Sequence, residues 1–438
     1  MKYFGTDGIR QKADQFTPEF LSFIIKGLVN YAGDKIKVFV AGDNRESSEW
    51  ILSDLAAALE SLGIEYYSAG ILPTPAINYC FYKIGFNFAI DVTASHNPHT
   101  DNGIKIFERG KTSGVKLCEA GCQSIEDAII KAQPFPLKSV ELQDDLHQES
   151  LDIYQKHIEN YLKQPDFKGL KIGMDCANGA TSVINKTIFE EYGAKVELIN
   201  ADQTYNTKIN YNCGSTHLES LQSLVTKNHL DFGVAFDGDG DRCMLIDKNG
   251  QIVDGDEILA ILANYLKLPS LAITVMANQG LINWANSNNI KLEITAVGDA
   301  NVKAAMDQNS ISLGGEQSGH IILPNEPTGD GMLTALMITK IISETKKPLH
   351  ELAGIMQKSP QIIVNLDATK EMKANLKESE STKTLLLEYS QKLEPIHGRL
   401  LVRPSGTENL IRIAMWGDDE SVINKLVKEL KTKLEQTL

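Results

Sequence analysis

Apolar runs that end in polar or glycine-bearing loops alternate with helical patterns along most of this chain, and this alternation constrains its fold more than any other feature. In the first segment, IKVFVAG (36–42) and NFAIDVTAS (87–95) read as strands, and residues 46–62 read as a helix. Two further segments repeat the alternation, with apolar runs at 170–180, 194–200, 230–236, 271–278, 291–299 and 311–324. Such an alternation favours an α/β architecture.

The C-terminal part of the chain has a different order of patterns. A strand-like run (361–368) precedes a polar helix, a hairpin pattern (399–417) and an amphipathic terminal helix (419–436), which predicts an α+β unit. The polar stretches 134–150 and 365–382 suit boundaries between units. We therefore expect four domains, at 1–148, 149–249, 250–362 and 363–438.

Composition narrows the class of protein. A chain of 438 residues is too long for a single core, and its net charge of −14 argues against a general nucleic-acid surface. The six cysteines form no CxxC pair, and no apolar run approaches the ~18 residues of a membrane span. Because the polar opening MKYFGTDGIR is unlike a signal peptide, we expect a cytoplasmic protein that uses neither nucleic acid nor membrane as a partner.

The clearest chemical signal is Asp237-Gly-Asp239-Gly-Asp241-Arg242, directly after the apolar run LDFGVAF. Alternating glycines allow a tight turn, so the three carboxylates can converge on one point, where they would repel one another without a cation. Oxygen ligands at this density suit a hard cation such as Mg²⁺. A solvated acidic turn is the plainer alternative. An EF-hand loop is excluded because its sixth and twelfth positions would be Arg242 and Lys248.

A second motif, Thr-Ala-Ser95-His96-Asn-Pro, follows an apolar run of the first segment. Loops at the carboxyl ends of α/β strands are where such folds place ligands, so Ser95 is a candidate nucleophile and His96 could orient it. Lys105, ten residues later, could return to the same site as a proton donor or acceptor. Each also has an ordinary reading, as an Asn-Pro turn and a surface lysine.

Two further loops carry groups that suit a sugar phosphate. In Gly314-Gly-Glu316-Gln-Ser318-Gly-His320, Glu316 and Ser318 can hold hydroxyls and His320 suits acid–base work, although a glycine-rich bend with a satisfied histidine is an equal alternative. In Arg403-Pro-Ser405-Gly406-Thr407-Glu, hydroxyls, exposed amides and a guanidinium form an anion cradle, although a plain hairpin turn would look similar.

The four loops in this order resemble the α-D-phosphohexomutase superfamily over essentially the whole chain, with one signature loop in each domain. The opening KYFGTDGIR and the version GGEQSGH are most similar to the bacterial phosphoglucosamine mutases. The resemblance implies three similar mixed α/β domains, followed by a smaller, mobile α+β domain that binds phosphate.

The resemblance also implies a role for each matching residue. Residues on or near the transferring phosphoryl group would be Ser95, as the phosphoserine, with Lys105 and His320 as acid–base candidates and Arg10, His96 and Arg242 beside them. One Mg²⁺ per chain would be held by Asp237, Asp239, Asp241 and a phosphate oxygen on Ser95. Residues that hold the substrate would be Glu316 and Ser318 on the sugar hydroxyls, and Arg403, Ser405, Gly406 and Thr407 on the other phosphate.

The reaction implied by the resemblance interconverts glucosamine 6-phosphate and glucosamine 1-phosphate, which feeds UDP-N-acetylglucosamine synthesis. Phosphoserine would donate its phosphoryl group to the sugar, giving a hexosamine 1,6-bisphosphate that serves as intermediate and activator. The bisphosphate would then turn end for end and return its other phosphate to Ser95. The partner is a small sugar phosphate, and we expect a monomer or a homodimer.

Departures from the family pattern bear on the choice of sugar. Gly298-Asp-Ala300-Asn301-Val stands where glucosamine-type members typically have GDRYV, which leaves Lys303 as the nearest cation, and Asn409 replaces a usual Pro. Gln11 replaces a usual Gly, and Asn44 replaces the Thr of a GDTR motif. The alternatives are a phosphoglucomutase or phosphomannomutase, a metal-dependent phosphatase with a phosphoserine intermediate, and a non-catalytic sugar-phosphate-binding paralogue.

Overall fold

The first domain is built around a mixed sheet that carries the Ser95 loop. The computed structural model describes residues 1–5, 7–404 and 410–438, without the side chains of Asn185 and Lys377. The elements of the first domain are β1 (Phe4–Gly5), β2 (Gly8–Lys12), α1 (Pro18–Ala32), β3 (Lys37–Gly42), α2 (Glu46–Ser61), β4 (Glu65–Ile71), α3 (Thr74–Ile84), β5 (Phe88–Val92), β6 (Asp101–Arg109), β7 (Gly114–Lys116) and α4 (Glu119–Lys131).

The order of its strands explains why the first sheet reads as buried apolar runs. The sheet runs β1-β2-β6-β5-β3-β4, with β7 paired to β6. Strands β3, β4 and β5 are parallel, with β4 at the edge of the sheet, whereas β6 pairs antiparallel with both β5 and β2. Central parallel strands are covered on both faces, so β3 and β5 are apolar almost throughout, as the sequence predicts.

The second and third domains repeat this plan of a parallel core with antiparallel strands on one side. A long helix, α5 (His147–Leu162), leads into the second domain, whose further elements are β8 (Lys171–Asp175), α6 (Asn185–Glu191), β9 (Lys195–Ile199), α7 (Glu219–Lys227), β10 (Phe232–Phe236), β11 (Cys243–Asp247) and β12 (Ile252–Val253). The third domain contains α8 (Gly255–Leu266), β13 (Ser270–Thr274), α9 (Gln279–Ser287), β14 (Lys291–Thr295), α10 (Asp299–Asn309), β15 (Gly314–Gly315), β16 (Ile321–Ile322), α11 (Gly331–Thr345) and α12 (Leu349–Ala353).

The sheets of these two domains combine parallel strands with antiparallel strands on one side. The second sheet runs β12-β11-β10-β8-β9, with β8, β9 and β10 parallel. The third runs β14-β13-β15-β16, with β13 parallel to both β14 and β15. The apolar run at 311–324 is therefore two short antiparallel strands around the GGEQSGH loop.

The fourth domain is an antiparallel sheet with helices packed against it. Its elements are β17 (Gln361–Asp367), α13 (Lys370–Glu378), α14 (Glu380–Leu393), β18 (Arg399–Pro404), β19 (Leu410–Trp416) and α15 (Glu420–Thr437). The strand order is β17-β19-β18, and both pairs are antiparallel, as the predicted α+β unit requires. The three mixed α/β units and the α+β unit agree with the expected fold class. The domain boundaries at 148, 249 and 362 stay predictions.

Apolar packing joins the first three domains. One cluster of buried side chains runs from Phe39 on β3 to Met356 after α12, whereas the fourth domain packs a separate cluster around Ile411, Ile413 and Leu430. Across the described ranges, none of the helices combines the length and the apolar character that crossing a lipid bilayer demands.

Candidate active site

The aspartate loop follows β10 and is buried. Asp237 and Asp239 are fully buried and Asp241 is 5% exposed, and a carboxylate oxygen from each lies within 4.8 Å of the others. The glycines between them are required by close packing. A side chain at Gly238 would meet the Ser95 carbonyl oxygen at 2.7 Å, and Gly240 has a φ of +71°. The sequence therefore folds this loop into a compact set of oxygen ligands.

The charges of these carboxylates fit a bound cation. Burial, together with Asp239 and Asp241, holds the pKa of Asp237 well above its ordinary value, because three carboxylates cannot all be ionised in a dry site. Oδ1 of Asp239 and Oδ1 of Asp241 are buried without a hydrogen-bond partner. Buried oxygens with open lone pairs and excess negative charge suit a hard divalent ion such as Mg²⁺. The three aspartates therefore fit a binding site for a divalent metal ion.

Ser95 lies against this loop from the neighbouring domain. It is fully buried in the turn after β5, with a φ of +54°, a left-handed conformation that is uncommon for a residue other than glycine. Its Oγ donates a hydrogen bond to Oδ2 of Asp237 at 2.8 Å, and its backbone N–H donates to Oγ1 of Thr93 at 2.9 Å. The turn thus directs the candidate nucleophile at the carboxylates.

Arg45, the last residue of the Gly-Asp-Asn-Arg motif at the end of β3, holds the serine loop in place. Its fully buried guanidinium is paired with Asp43 at 2.9 Å and donates to the Ser95 carbonyl oxygen at 2.7 Å. The same side chain donates to the carbonyl oxygens of Asn97, Pro98 and Asp101. The signal for this role was a charged pair directly after the buried strand β3.

Asn210 of the second domain is a residue that sequence reasoning missed. Its Nδ2 donates to the carbonyl oxygens of Ser95 at 2.8 Å and Asn97 at 3.0 Å. No local pattern marks this asparagine, because its partners lie more than a hundred residues earlier in the chain. The second domain therefore contributes to the shape of the serine loop as well as to the aspartate cluster.

His96 and two arginines surround the serine. Nδ1 of His96 lies 3.4 Å from Oγ of Ser95. The guanidinium of Arg242, burial and the guanidinium of Arg10 together lower the pKa of His96 to about 3, so the ring is neutral at physiological pH. Nε of Arg242 lies 3.7 Å from Oδ1 of Asp241. The predicted neighbours of the transferring group are thus grouped around Ser95 and the aspartate loop.

Lys105 on β6 is a buried residue of the cluster, not a surface lysine. Its Nζ lies 2.7 Å from Oδ2 of Asp239 and 3.3 Å from Oδ2 of Asp241. Burial alone would lower the pKa of Lys105, but the carboxylates of Asp239, Asp7 and Asp241 outweigh it and hold the pKa well above its ordinary value. Lys105 is therefore protonated in this arrangement and brings a positive charge into the carboxylate cluster.

His320 brings the third domain to the same point. Its Nδ1 lies 3.6 Å from Oδ2 of Asp241, and the backbone N–H of Gly329 donates to its Nε2 at 3.1 Å. Burial would lower the pKa of His320, but Asp241 and Asp299 raise it to about 9. The N–H of Gly329 can donate only to the neutral ring, with its proton on Nδ1 facing Asp241, so protonation of His320 is favoured by Asp241 and Asp299 but costs this hydrogen bond.

The sugar loop is more open. Oε1 of half-buried Glu316 accepts a hydrogen bond from the backbone N–H of Gly298 at 3.1 Å, and Ser318 is exposed. Lys303, the nearest cation along the chain to the altered GDANV motif, pairs with Asp307 on its own helix. Lys116 of the first domain reaches the GDANV motif instead, where it pairs with Asp299; sequence reasoning missed this residue.

The predicted phosphate cradle is described only at its edges. Arg403 lies at the end of β18, half-buried, and its register partner on β19 is Arg412. Ser405, Gly406 and Thr407 lie outside the described residues. Two arginines at the same register position, next to the predicted loop, suit the binding of an anion.

Family models for the phosphoglucomutase/phosphomannomutase family match the chain in domain order. The alpha/beta/alpha domain I matches residues 1–134, domain II residues 152–250, domain III residues 254–359 and the C-terminal domain residues 341–433. The solved structure of parafusin, a phosphoglucomutase from Paramecium in its open form, matches with a TM-score of 0.79 at 20% identity, covering 99% of this chain and 95% of that chain. That likeness shows the fold.

Relatives of closer sequence are found among bacteria. A phosphoglucosamine mutase from Caldicellulosiruptor bescii is 40% identical over 454 residues, covering 100% of this chain and 99% of the relative. A phosphoglucosamine mutase from Clostridioides difficile is also 40% identical, with the same coverage of both chains. The chain therefore belongs to the phosphoglucosamine mutases of the phosphohexomutase superfamily, and it is an enzyme of the phosphotransferring isomerase class.

Proposed function

We propose that this enzyme interconverts glucosamine 6-phosphate and glucosamine 1-phosphate through a phosphoserine at Ser95 and a glucosamine 1,6-bisphosphate. The observation that carries the proposal is the 2.8 Å hydrogen bond from Oγ of Ser95 to Oδ2 of Asp237, at a fully buried junction of two domains. A buried serine that is held against a carboxylate cluster has the surroundings that phosphoryl transfer requires. The choice of glucosamine is supported by the names of the bacterial relatives.

The metal in this proposal is Mg²⁺, one per chain. Asp237, Asp239 and Asp241 would hold it, together with an oxygen of the phosphate on Ser95. The bound ion would supply positive charge next to the phosphoryl oxygens, where charge accumulates during transfer. The buried Oδ1 atoms of Asp239 and Asp241 without partners support this assignment.

The chain's own residues would move the proton and stabilise the negative charge during transfer. As phosphoserine gives its phosphoryl group to a sugar hydroxyl, that hydroxyl loses a proton and Oγ of Ser95 gains one. Lys105 lies in the same carboxylate cluster as Ser95, so we assign it to the serine side as an acid–base group, with His320 as the second. Arg10 and Arg242 would offset negative charge around the transferring group, and neutral His96 would orient Ser95.

The substrate would be held from the third and fourth domains. Glu316 and Ser318 would bind sugar hydroxyls, and Arg403 with Ser405, Gly406 and Thr407 would bind the phosphate that is not transferred. The bisphosphate then turns end for end, so the same groups must accept both ends of the sugar. Exposure of Ser318 and partial exposure of Glu316 and Arg403 support a role at an accessible surface. Since the proposed groups come from one chain, a monomer or a homodimer would serve.

The test is a substrate panel on enzyme phosphorylated at Ser95. We expect glucosamine 6-phosphate to be isomerised with a higher kcat/KM than glucose 6-phosphate or mannose 6-phosphate, and only when Mg²⁺ is present. A large preference for glucose or mannose phosphate would overturn the choice of sugar. The Ser95→Ala variant, which cannot carry the phosphate, is the control for contaminating mutase.

A second measurement separates the mutase from the other enzyme classes. Intact-protein mass spectrometry should detect one added phosphate after incubation with a hexose bisphosphate, and turnover should release little inorganic phosphate. Net release of inorganic phosphate without isomerisation would indicate a phosphatase. A chain that never acquires phosphate on Ser95 would indicate a sugar-phosphate-binding protein. Either result would contradict the proposal.

A further inference from the structure

Lys116 connects the first and third domains beside the candidate active site. It is the last residue of β7, and its Nζ lies 2.5 Å from Oδ1 of Asp7 and 2.6 Å from Oδ2 of Asp299. Asp7 belongs to the turn between β1 and β2 in the first domain, whereas Asp299 begins α10 in the third. One ammonium group therefore bridges carboxylates that are nearly three hundred residues apart in the chain.

On the third-domain side, the bridge meets both functional loops. The Oδ2 of Asp299 that pairs with Lys116 also lies 3.9 Å from Nε2 of His320, the acid–base candidate. The preceding residue, Gly298, donates its backbone N–H to Oε1 of Glu316, the candidate sugar ligand. A displacement of Asp299 would therefore be transmitted to His320 and to Glu316.

On the first-domain side, the bridge meets the groups around the phosphoserine. The other oxygen of Asp7, Oδ2, pairs with Arg10 at 2.5 Å and lies 3.5 Å from Nζ of Lys105. Asp7 thus holds two cations of the transfer site on one oxygen and Lys116 on the other. The row Arg10–Asp7–Lys116–Asp299 runs from the phosphoserine domain to the domain of His320.

We propose that Lys116 is a positioning residue, which sets the spacing between the phosphoserine side and the acid–base side of the site by bridging Asp7 and Asp299. The inference rests on the proposed phosphoryl-transfer function. It adds a residue that acts through Asp299 and Asp7 and does not contact the sugar phosphate. Without the ammonium group, Oδ1 of Asp7 and Oδ2 of Asp299 would lose the cation that they share. Arg10 and Lys105 would still pair with Oδ2 of Asp7, but nothing would hold its Oδ1 to Asp299, so the spacing of the two domains at this point would widen.

The size of the effect follows from the sensitivity of phosphoryl transfer to geometry. A misplacement of about 1 Å can lower a catalysed rate about a hundredfold, because the reacting atoms leave their in-line positions. We therefore expect Lys116→Met to lower kcat by about tenfold to a hundredfold. KM should change less than kcat, because Lys116 does not bind the substrate in this proposal.

The experiment compares three variants of the full-length enzyme under Mg²⁺-saturating conditions. Lys116→Met removes the bridge, Lys116→Arg keeps a cation of similar reach, and Lys12→Met is the matched control. Lys12 pairs with Asp101 at the same 2.5 Å, but that pair is more exposed and lies within the first domain. The readouts are kcat and KM with the sugar that the panel selects, the single-turnover rate of transfer from phosphoserine, and thermal unfolding.

The expected result is a fall in kcat and in the single-turnover rate for Lys116→Met alone, with most of the rate restored in Lys116→Arg. If Lys116→Met matches Lys12→Met, or if Lys116→Arg is as slow as Lys116→Met while both remain folded, the inference is wrong. A wild type that never turns over contradicts the proposed function, and the inference with it. A wild type that turns over while Lys116→Met is unaffected contradicts the inference alone.

A double-mutant cycle tests whether Lys116 acts through Asp299. In an Asp299→Asn background the two carboxylates no longer repel, so Lys116→Met should have much less effect there than in the wild type. Full and independent effects of the two changes would overturn the bridging role. The second comparison is between Asp299→Asn and the double variant. Both proteins carry the Asp299→Asn change, so their difference reports Lys116→Met alone, in a background without the repulsion.

Discussion

The two halves of the candidate site differ in exposure. The transfer cluster, which we define as Ser95, Lys105, His320 and the aspartates 237, 239 and 241, is almost completely shielded, and none of its members is more than 5% exposed. The grip residues, defined as Glu316, Ser318 and Arg403, are half-buried or exposed. Electrostatic effects are strong where water is excluded, whereas a substrate that must enter, turn and leave needs accessible contacts. The groups proposed to transfer the phosphoryl group are thus buried together, whereas the groups proposed to bind the substrate stay accessible.

The packing of the domains shows the same division. The first three domains share a continuous apolar cluster, and these domains carry the transfer cluster. The fourth domain, with Arg403, has its own core and meets the third through polar contacts such as Arg399 to the Ala277 carbonyl oxygen at 2.6 Å. Polar interfaces of this kind permit relative movement of domains. The fourth domain, which in our proposal binds the phosphate that is not transferred, is therefore suited to move relative to the domains that carry the transfer cluster.

The strongest test of the buried half is Ser95→Ala. Loss of the nucleophile should lower kcat by at least about 10⁴-fold, as for other enzymes that lose a covalent nucleophile. Coupled assays measure the rate, and intact mass spectrometry should show no added phosphate. Ser318→Ala, on the exposed half, should still acquire the phosphate. A phosphorylated Ser95→Ala protein would place the nucleophile elsewhere.

The next test removes one oxygen ligand from the same half. Asp239→Asn keeps the shape of the side chain but weakens the carboxylate cluster, so we expect kcat to fall about 10²- to 10³-fold and the Mg²⁺ requirement to rise. Isothermal titration with Mg²⁺ and an activity titration measure the two effects. Asp307→Asn, on an exposed helix, is the control. Equal Mg²⁺ affinity in Asp239→Asn and the wild type would contradict the metal assignment.

The third test measures how folding stability depends on pH, which reports the protonation of His96 next to Ser95. The pKa of His96 is lowered from 6.5 to about 3 by Arg242, burial and Arg10. Between these values the unfolded chain binds a proton that the folded protein does not, so stability falls as the pH drops from about 6.5 toward 3. In dephosphorylated enzyme, His96→Gln should flatten this fall by up to a few kcal/mol, as measured by urea unfolding at several pH values.

Above pH 7 the same two proteins provide the control. His96 is neutral there in both the folded and unfolded states, so His96→Gln and the wild type should differ only by an offset that does not depend on pH. Identical slopes for both proteins between pH 6.5 and 4 would show that the arginines do not act on His96 as the geometry predicts.

The smallest expected effects belong to the open half. Glu316→Gln should raise KM about tenfold, because a charged acceptor for sugar hydroxyls is worth more than a neutral one, and Ser318→Ala should raise KM about threefold. The Mg²⁺ dependence should stay as in the wild type in both variants. Steady-state kinetics with the preferred sugar decide the matter. A loss of kcat in Ser318→Ala comparable to that of Asp239→Asn would remove the distinction between the two halves.

Several groups of the site could be predicted from local sequence because their chemistry is local. The aspartates of residues 237–241 follow an apolar strand with glycines between them, and Ser95 follows another, so their types and positions indicated both roles. Lys105 was identified only as a candidate, because nothing in its neighbourhood shows that it is buried among carboxylates of another domain. Asn210 and Lys116 could not be found, since their partners lie far away in the chain.

The sequence by itself determined which chemical groups this protein has, the α/β and α+β order of its domains, and the loop in which each candidate group lies. Local periodicity and turn chemistry are sufficient for that, because strands, helices and glycine turns depend on neighbouring residues. Only the tertiary structure decided which groups meet: Ser95 with Asp237, His320 with Asp241, and Lys116 with Asp7 and Asp299. Those contacts depend on how sheets of different domains pack, and no short stretch of sequence encodes that packing.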